Sequence, residues 1–256
     1  MTVVLKVGGS VLTRKDAPET VDEAALGTVA EAVAGALAGD SPAAPAVGDL
    51  VLVHGGGSFG HHHADRHGVT QTAGVHDASA ITAIHGAMTD LNATVVDALQ
   101  EAGVPALPVA PFSAATRGAD GTLALATAPV ETMLEEAFVP VLHGDVVGHA
   151  GEGATILSGD ELVVALARSL GADRVGLCSG VPGVLDEDGD VVDHVGSIDA
   201  VAGALGGSDA TDVTGGMAGK VRTLLDLDAP ANVFGLGALG PFLAGDNPGT
   251  SIRRDR

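Results

Sequence analysis

Tryptophan and tyrosine are missing from this sequence, and five phenylalanines are its only aromatic residues. Cysteine occurs once, at Cys178. A single thiol excludes an intrachain disulfide framework and a zinc site built on cysteines. Positive charge is scarce as well. Twelve basic residues face 33 acidic ones, for a net charge of −21, and lysine occurs only at 6, 15 and 220. Nucleic acid and anionic membrane both call for a basic surface, so neither is an expected partner. No apolar run reaches the ~18 residues of a membrane span. The first residues lack a basic segment followed by a long apolar core. A soluble, cytoplasmic protein is expected.

What is present is small. The 256 residues include 38 glycines and weigh 25.0 kDa. Apolar residues make up 46%, enough for a globular core. The length suits one large domain or two small ones. Acidic excess with so little lysine points to a cytosol of molar salt, against the plainer reading of an ordinary acidic protein. In dilute buffer such a charge repels itself, whereas salt near 1 M shortens the screening length to ~3 Å. Where lysine is this rare, each of the three needs a reason.

Strand and helix patterns alternate, which predicts an α/β fold with a largely parallel sheet. Strands are expected over 2–7, 49–54, 104–109, 138–142, 174–178, 231–234 and 250–253. Helices are expected over 21–37, 76–99, 129–136, 158–170 and 217–226. The 76–99 helix carries Ile81, Ile84, Met88, Leu91, Val95 and Leu99 at spacings of three and four. Ser158 and Glu161 form a capping-box pattern at the head of 158–170. Hairpins are expected over 146–157 and over 184–192, the latter turning at Asp188-Gly189. A loop is expected over 38–48. A change of role near residue 145 predicts two lobes, 1–145 and 146–256, sharing one sheet.

Three glycine clusters border these elements: Gly8-Gly9-Ser10, Gly55-Gly56-Gly57-Ser58 and Thr214-Gly215-Gly216. Glycine lets backbone approach a ligand, and a helix N-terminus offers free N–H groups to an anion. Lys6 precedes the first cluster and Lys220 follows the third, so the pattern predicts a site for phosphate-rich substrates. It is not a Walker A loop, because Thr214 stands where glycine is required and Val221 where Ser or Thr is required. No GxGxxG follows the first strand, which excludes a nicotinamide-type Rossmann site. Residues 56–60 fit GxSxG and residues 54–57 fit HGGG, but one loop cannot serve as both nucleophile elbow and oxyanion hole.

His61, His62, His63 and His67 follow the second cluster. His63 and His67 have chelating spacing, yet no HExxH or supporting carboxylate pattern accompanies them. His62, His63 and His67 are read as solvated helix residues. His61, directly after the glycine turn, is placed to donate a hydrogen bond to a phosphate. Residues 186–190 resemble half a calcium loop, but Ser197 stands where glutamate is required, leaving a solvated hairpin tip.

The segments KVGGSVLTRK (6–15), VHGGGSFGH (53–61), ILSGD (156–160) and TDVTGGMAGK (211–220) resemble the amino acid kinase superfamily, and most of all its isopentenyl phosphate kinases. The resemblance covers nearly the whole chain in the expected order, and the histidine of GGGSFGH narrows it. It implies a three-layer αβα sandwich with the acceptor in the N-terminal lobe and ATP in the C-terminal lobe. It implies phosphoryl transfer from ATP to isopentenyl phosphate, with magnesium, in isoprenoid biosynthesis. A relative acting on fosfomycin or an amino acid is the alternative. By motif, Lys6 contacts the transferring phosphoryl group and Lys15 stabilises the transition state. Gly8, Gly9, Ser10, Gly56, Gly216 and Lys220 hold ATP. Gly55, Gly56 and His61 hold the acceptor phosphate, while Gly159 and Asp160 orient the lysines. The nucleotide segment departs from the family pattern: Cys178-Ser179 replaces Thr-Asp, leaving Ser179 and Gly183 as the nucleotide contacts there. Ile84 and Met88 are candidate walls for the acceptor tail. The resemblance also implies a homodimer, with the 76–99 region at its interface. The lysines and His61 are therefore expected at one site, with the acidic surplus outside it.

Overall fold

The computed structural model describes residues 1–39, 47–199 and 216–255. Most of the 38–48 loop and the Thr214-Gly215 pair lie outside these residues. The first half runs β1 (Thr2–Val7), α1 (Gly9–Leu12), α2 (Glu23–Ala38), β2 (Asp49–His54), α3 (Gly57–His67), α4 (Ala78–Glu101), β3 (Ala106–Pro108) and α5 (Pro111–Ala114). Then come β4 (Ala115–Arg117), β5 (Leu123–Leu125), α6 (Ala128–Glu135), β6 (Val139–His143), β7 (Asp145–His149) and β8 (Gly153–Leu157). The chain ends with α7 (Gly159–Ser169), β9 (Arg174–Ser179), β10 (His194–Val195), α8 (Gly216–Leu225), β11 (Ala231–Gly235), α9 (Leu239–Leu243) and β12 (Thr250–Ile252).

Eight strands form one sheet in the order β10-β12-β11-β9-β1-β2-β6-β3. Every neighbouring pair is parallel except β11 with β12. The β-branched run of β1 sits at the centre, and alternation sends its side chains to two cores. Val3, Leu5 and Val7 meet α2, α4 and α9 on one face. Val4 meets α7 and α8 on the other. The three-layer αβα sandwich follows directly. Lys6 shares the face of Val4 and is therefore carried toward α7. The same sheet runs through both expected lobes.

A second, four-stranded sheet, β5-β4-β7-β8, was not foreseen beyond its β7–β8 hairpin. It draws strands from both sides of residue 145. Val146 and Ala154 of this sheet pack on Ile84 of α4. Arg117 of β4 is buried and reaches Glu161 of α7 at 2.9 Å. Glu161 also completes the expected capping box with Ser158. The 184–192 hairpin closes through an antiparallel bridge between Leu185 and Val191. At its tip the Asp186 carboxylate accepts from the Asp188 and Asp190 amides.

β2 and β6 end side by side on His54 and His143. Their rings stack 5.6 Å apart, fully buried beneath the second glycine cluster. Burial pushes His54 down to about 4. Burial and the neighbouring His54 push His143 down to about 3. Asp145 moves the opposite way: burial raises its carboxyl to about 6, although Val146 N–H and His85 bond to it. The signs then oppose. The unfolded histidines take up protons below about 6.5 and the folded ones do not until far lower, so their contribution is present above 6.5 and lost as pH falls. The Asp145 contribution is present below its unfolded value of 3.8 and lost as pH rises through about 6. Two imidazoles outweigh one carboxyl. Urea unfolding should therefore show stability falling by roughly 3 kcal/mol between about pH 7 and about pH 5. His143→Phe keeps a ring and removes a proton site, and should flatten that slope.

Candidate active site

Parallel α/β sheets place ligand crevices beyond the carboxyl ends of their strands. Here β1, β2 and β9 end together, at Val7, His54 and Ser179. The loops leaving β1 and β2 meet backbone to backbone. A Cβ on Gly9 would lie 2.1 Å from the Gly57 nitrogen, and one on Gly55 would lie 2.6 Å from the Gly9 nitrogen. Gly57 has φ +48°, and a Cβ there would strike the Thr13 hydroxyl at 2.0 Å. Thr13 itself accepts from the Ser58 amide at 2.9 Å, tying α1 to α3. Gly8 donates to the Cys178 carbonyl at 2.8 Å, which joins the third strand end to the same knot.

A cavity of about 650 Å³ opens over this knot. Its walls include Lys6, Lys15, Lys220 and His61, together with Gly8, Gly9, Ser10, Gly55, Gly56, Gly159, Asp160 and Ser179. Every lysine of the sequence is thus on one cavity. Lys6 is 9% exposed, and its ammonium lies 2.6 Å from the Asp160 carboxylate. Asp160 stands in the first turn of α7, behind the N-cap Ser158. The ammonium is thereby fixed at the strand end. α3 starts on the cavity too, with Gly56 as its N-cap residue, and carries His61 along its wall. Gly216 opens α8.

Part of the cavity wall is apolar. Ile84 and Met88 of α4 form it with Ile156 and Leu157 of β8. Met88 reaches over the second glycine cluster, where a Cβ on Gly60 would meet its sulfur at 2.7 Å. The contribution of β8, and that of Asp145 beside it, was not read from the sequence. Asp145 receives His85 at 2.9 Å, linking β7 to α4.

Two expectations change. Gly183 does not reach the cavity; it packs under Thr250 and Val191, where a Cβ would lie 2.6 Å from the Thr250 hydroxyl. His63 is not a freely solvated helix residue, because its Nε2 lies 2.5 Å from the Glu19 carboxylate and its Nδ1 is buried. His62 is exposed and His67 is half-buried. Cys178 is buried, and burial pushes its thiol up to about 12, which leaves it inert as a nucleophile. Among the described residues no three carboxylate, imidazole or thiol groups converge on a metal position. Asp160, the carboxylate nearest the lysines, is occupied by Lys6.

The Amino acid kinase family profile matches residues 1–227. The chain is 63% identical over 251 residues to the isopentenyl phosphate kinase of Haloferax volcanii, covering 98% of each. It is 35% identical over 238 residues to the isopentenyl phosphate kinase of Methanothermobacter thermautotrophicus, covering 87% of this chain and 85% of that relative. A solved structure described as an isopentenyl phosphate kinase superimposes with a TM-score of 0.79 at 27% identity, covering 98% of this chain and 100% of the other.

The glycine knot makes a direct prediction. Gly9→Ala must push the two loops apart, at a cost of ~2 kcal/mol or more. Urea denaturation should register that loss, whereas Gly35→Ala, in open space on α2, should leave stability unchanged or raised.

Proposed function

The chain belongs to the amino acid kinase family, and we propose that its reaction is transfer of the γ-phosphoryl group of ATP to isopentenyl phosphate, giving isopentenyl diphosphate and ADP. One observation carries this reading: a single cavity is lined both by all three lysines and His61 and by the apolar side chains of Ile84, Met88 and Ile156. Such a cavity suits two phosphates brought head to head with an apolar tail attached to one of them. The names of the relatives agree with it. An acceptor with a polar tail would call for a further cation on the walls. Among the described residues the only lysines or arginines on the walls are the three lysines already placed at the phosphates.

The division of labour follows from which strand end carries each group. The acceptor phosphate lies against Gly55, Gly56 and His61, with its tail toward α4 in the N-terminal lobe, 1–145. ATP lies toward β9 and α8 in the C-terminal lobe, 146–256, against Gly8, Gly9, Ser10, Ser179, Gly216 and Lys220. The acceptor oxygen is already ionised near neutral pH, so the step needs no strong general base. It needs alignment and charge neutralisation. Lys6, held by Asp160, faces the transferring group and Lys15 faces it from the loop above. Magnesium enters with ATP as its phosphate complex.

The protein works in a cytosol of molar salt, where its −21 charge is screened. No helix among the described residues is long and apolar enough to cross a membrane. We extend the proposal to a homodimer through α4, whose open face carries Thr82, Thr89, Asp90, Thr94 and Asp97. Sedimentation in high potassium chloride measures that state.

A coupled ADP-release assay in high potassium chloride, with isopentenyl phosphate, fosfomycin and glutamate as acceptors, tests the reaction. Turnover is expected with isopentenyl phosphate alone; turnover confined to either other acceptor refutes the reading. His61→Ala should lower kcat/KM for isopentenyl phosphate by ~100-fold or more while ATP still binds. Lys220→Ala should raise the KM for ATP by ~10-fold or abolish turnover, and unchanged ATP dependence would count against its role.

A further inference from the structure

Lys15 is the one lysine that no strand or helix carries; it rides on a loop across residues 14–20. The loop is closed at its base by a bridge between Thr13 and Val21 and by the Arg14 amide donating to the Thr20 carbonyl at 2.9 Å. Its returning limb leans on α3. The Glu19 amide donates to the Ser58 carbonyl and the Thr20 amide to the Ser58 hydroxyl, each at 3.3 Å. These are long bonds for a loop that must hold a cation over a reacting phosphate. One short contact supplements them, between the Glu19 carboxylate and His63 Nε2 at 2.5 Å.

Two features set that contact apart from a chance surface pair. Glu19 has φ +49°, in the left-handed region that disfavours a residue with a Cβ. Glycine or asparagine would hold the same backbone with less strain. A glutamate there calls for a reason in its side chain. His63 supplies it: its other ring nitrogen, Nδ1, is buried with no hydrogen-bond partner, so Glu19 makes the ring's one hydrogen bond among the described residues, beside an edge contact with the His62 ring. His63 also sits on α3 two residues beyond His61, which lines the cavity.

We propose that Glu19 and His63 are a pair of positioning residues. They latch the Lys15 loop onto the helix that carries His61 and so fix the lysine relative to the acceptor phosphate. This rests on the reaction proposed above for what Lys15 does, but the latch itself can be read without substrate. Hydrogen exchange on the full-length protein is the first measurement. Glu19→Asn tolerates the left-handed backbone and is too short to reach His63. It should speed exchange of the 14–20 amides by ~10-fold or more and leave β1 and α4 unchanged. Turnover with isopentenyl phosphate is the second. Glu19→Asn should lower kcat by ~10-fold with the KM for ATP within about twofold, and Glu19→Gln, which still accepts from Nε2, should restore most of it. In a Lys15→Ala background Glu19→Asn should cause no further loss. Unchanged exchange over 14–20, or an undiminished loss in the Lys15→Ala background, overturns the latch. Loosened exchange in a protein whose native form leaves isopentenyl phosphate untouched supports the latch and overturns the reaction.

Discussion

Two backbones in contact at Gly9 and Gly57 set the terms for the rest of the molecule. Parallel neighbours in a sheet lie roughly 4.8 Å apart, so two loops leaving the same edge compete for one small volume. Side chains on either loop would force them apart, and the N–H groups they carry would no longer face a common anion. With glycine on both sides the loops interlock, and several consequences follow. α3 can begin directly over the strand ends, which puts His61 on the cavity wall. Thr13 can reach the amide of Ser58 and brace the base of the Lys15 loop. Met88 can lie flat on the glycine face of α3 and bring the apolar side of α4 to the same cavity.

The charge distribution completes that design. A protein carrying −21 repels polyphosphates at long range in weak salt, and molar salt removes the repulsion without creating attraction. Attraction has to be local. On the proposed reading the three lysines, brought together on one cavity from positions 6, 15 and 220, supply it. The Lys6–Asp160 pair is nearly enclosed, and such pairs contribute little net stability because both ions lose water. Its value lies in direction: the carboxylate holds the ammonium at the end of β1 before any phosphate arrives.

Much of this was legible in the sequence for definite reasons. β1 and β2 are β-branched or apolar runs cut off by glycines, and their bounds agree with the reading residue for residue. α4 announced itself by its spacing, and the head of α7 by its capping box. α3 was harder, because GSFGHHH has weak helix propensity; the helix is held by Phe59 and Ala64 packing inward and by Met88 above it. β4 and β5 have three residues each, too few to show a period, so the second sheet stayed hidden. His63 looked solvated because its partner Glu19 lies 44 positions earlier, and no local pattern joins them. Gly183 matched a motif position, but the chain turns it under Thr250.

One sheet of eight strands passes through both halves of the molecule without interruption. A two-part enzyme usually closes on its substrates by swinging one part against the other around a few linking residues. Here the link is the central strand and its neighbours, hydrogen-bonded to one another along β1. The ends of β1, β2 and β9, which border the cavity, are therefore set against one another by strand register.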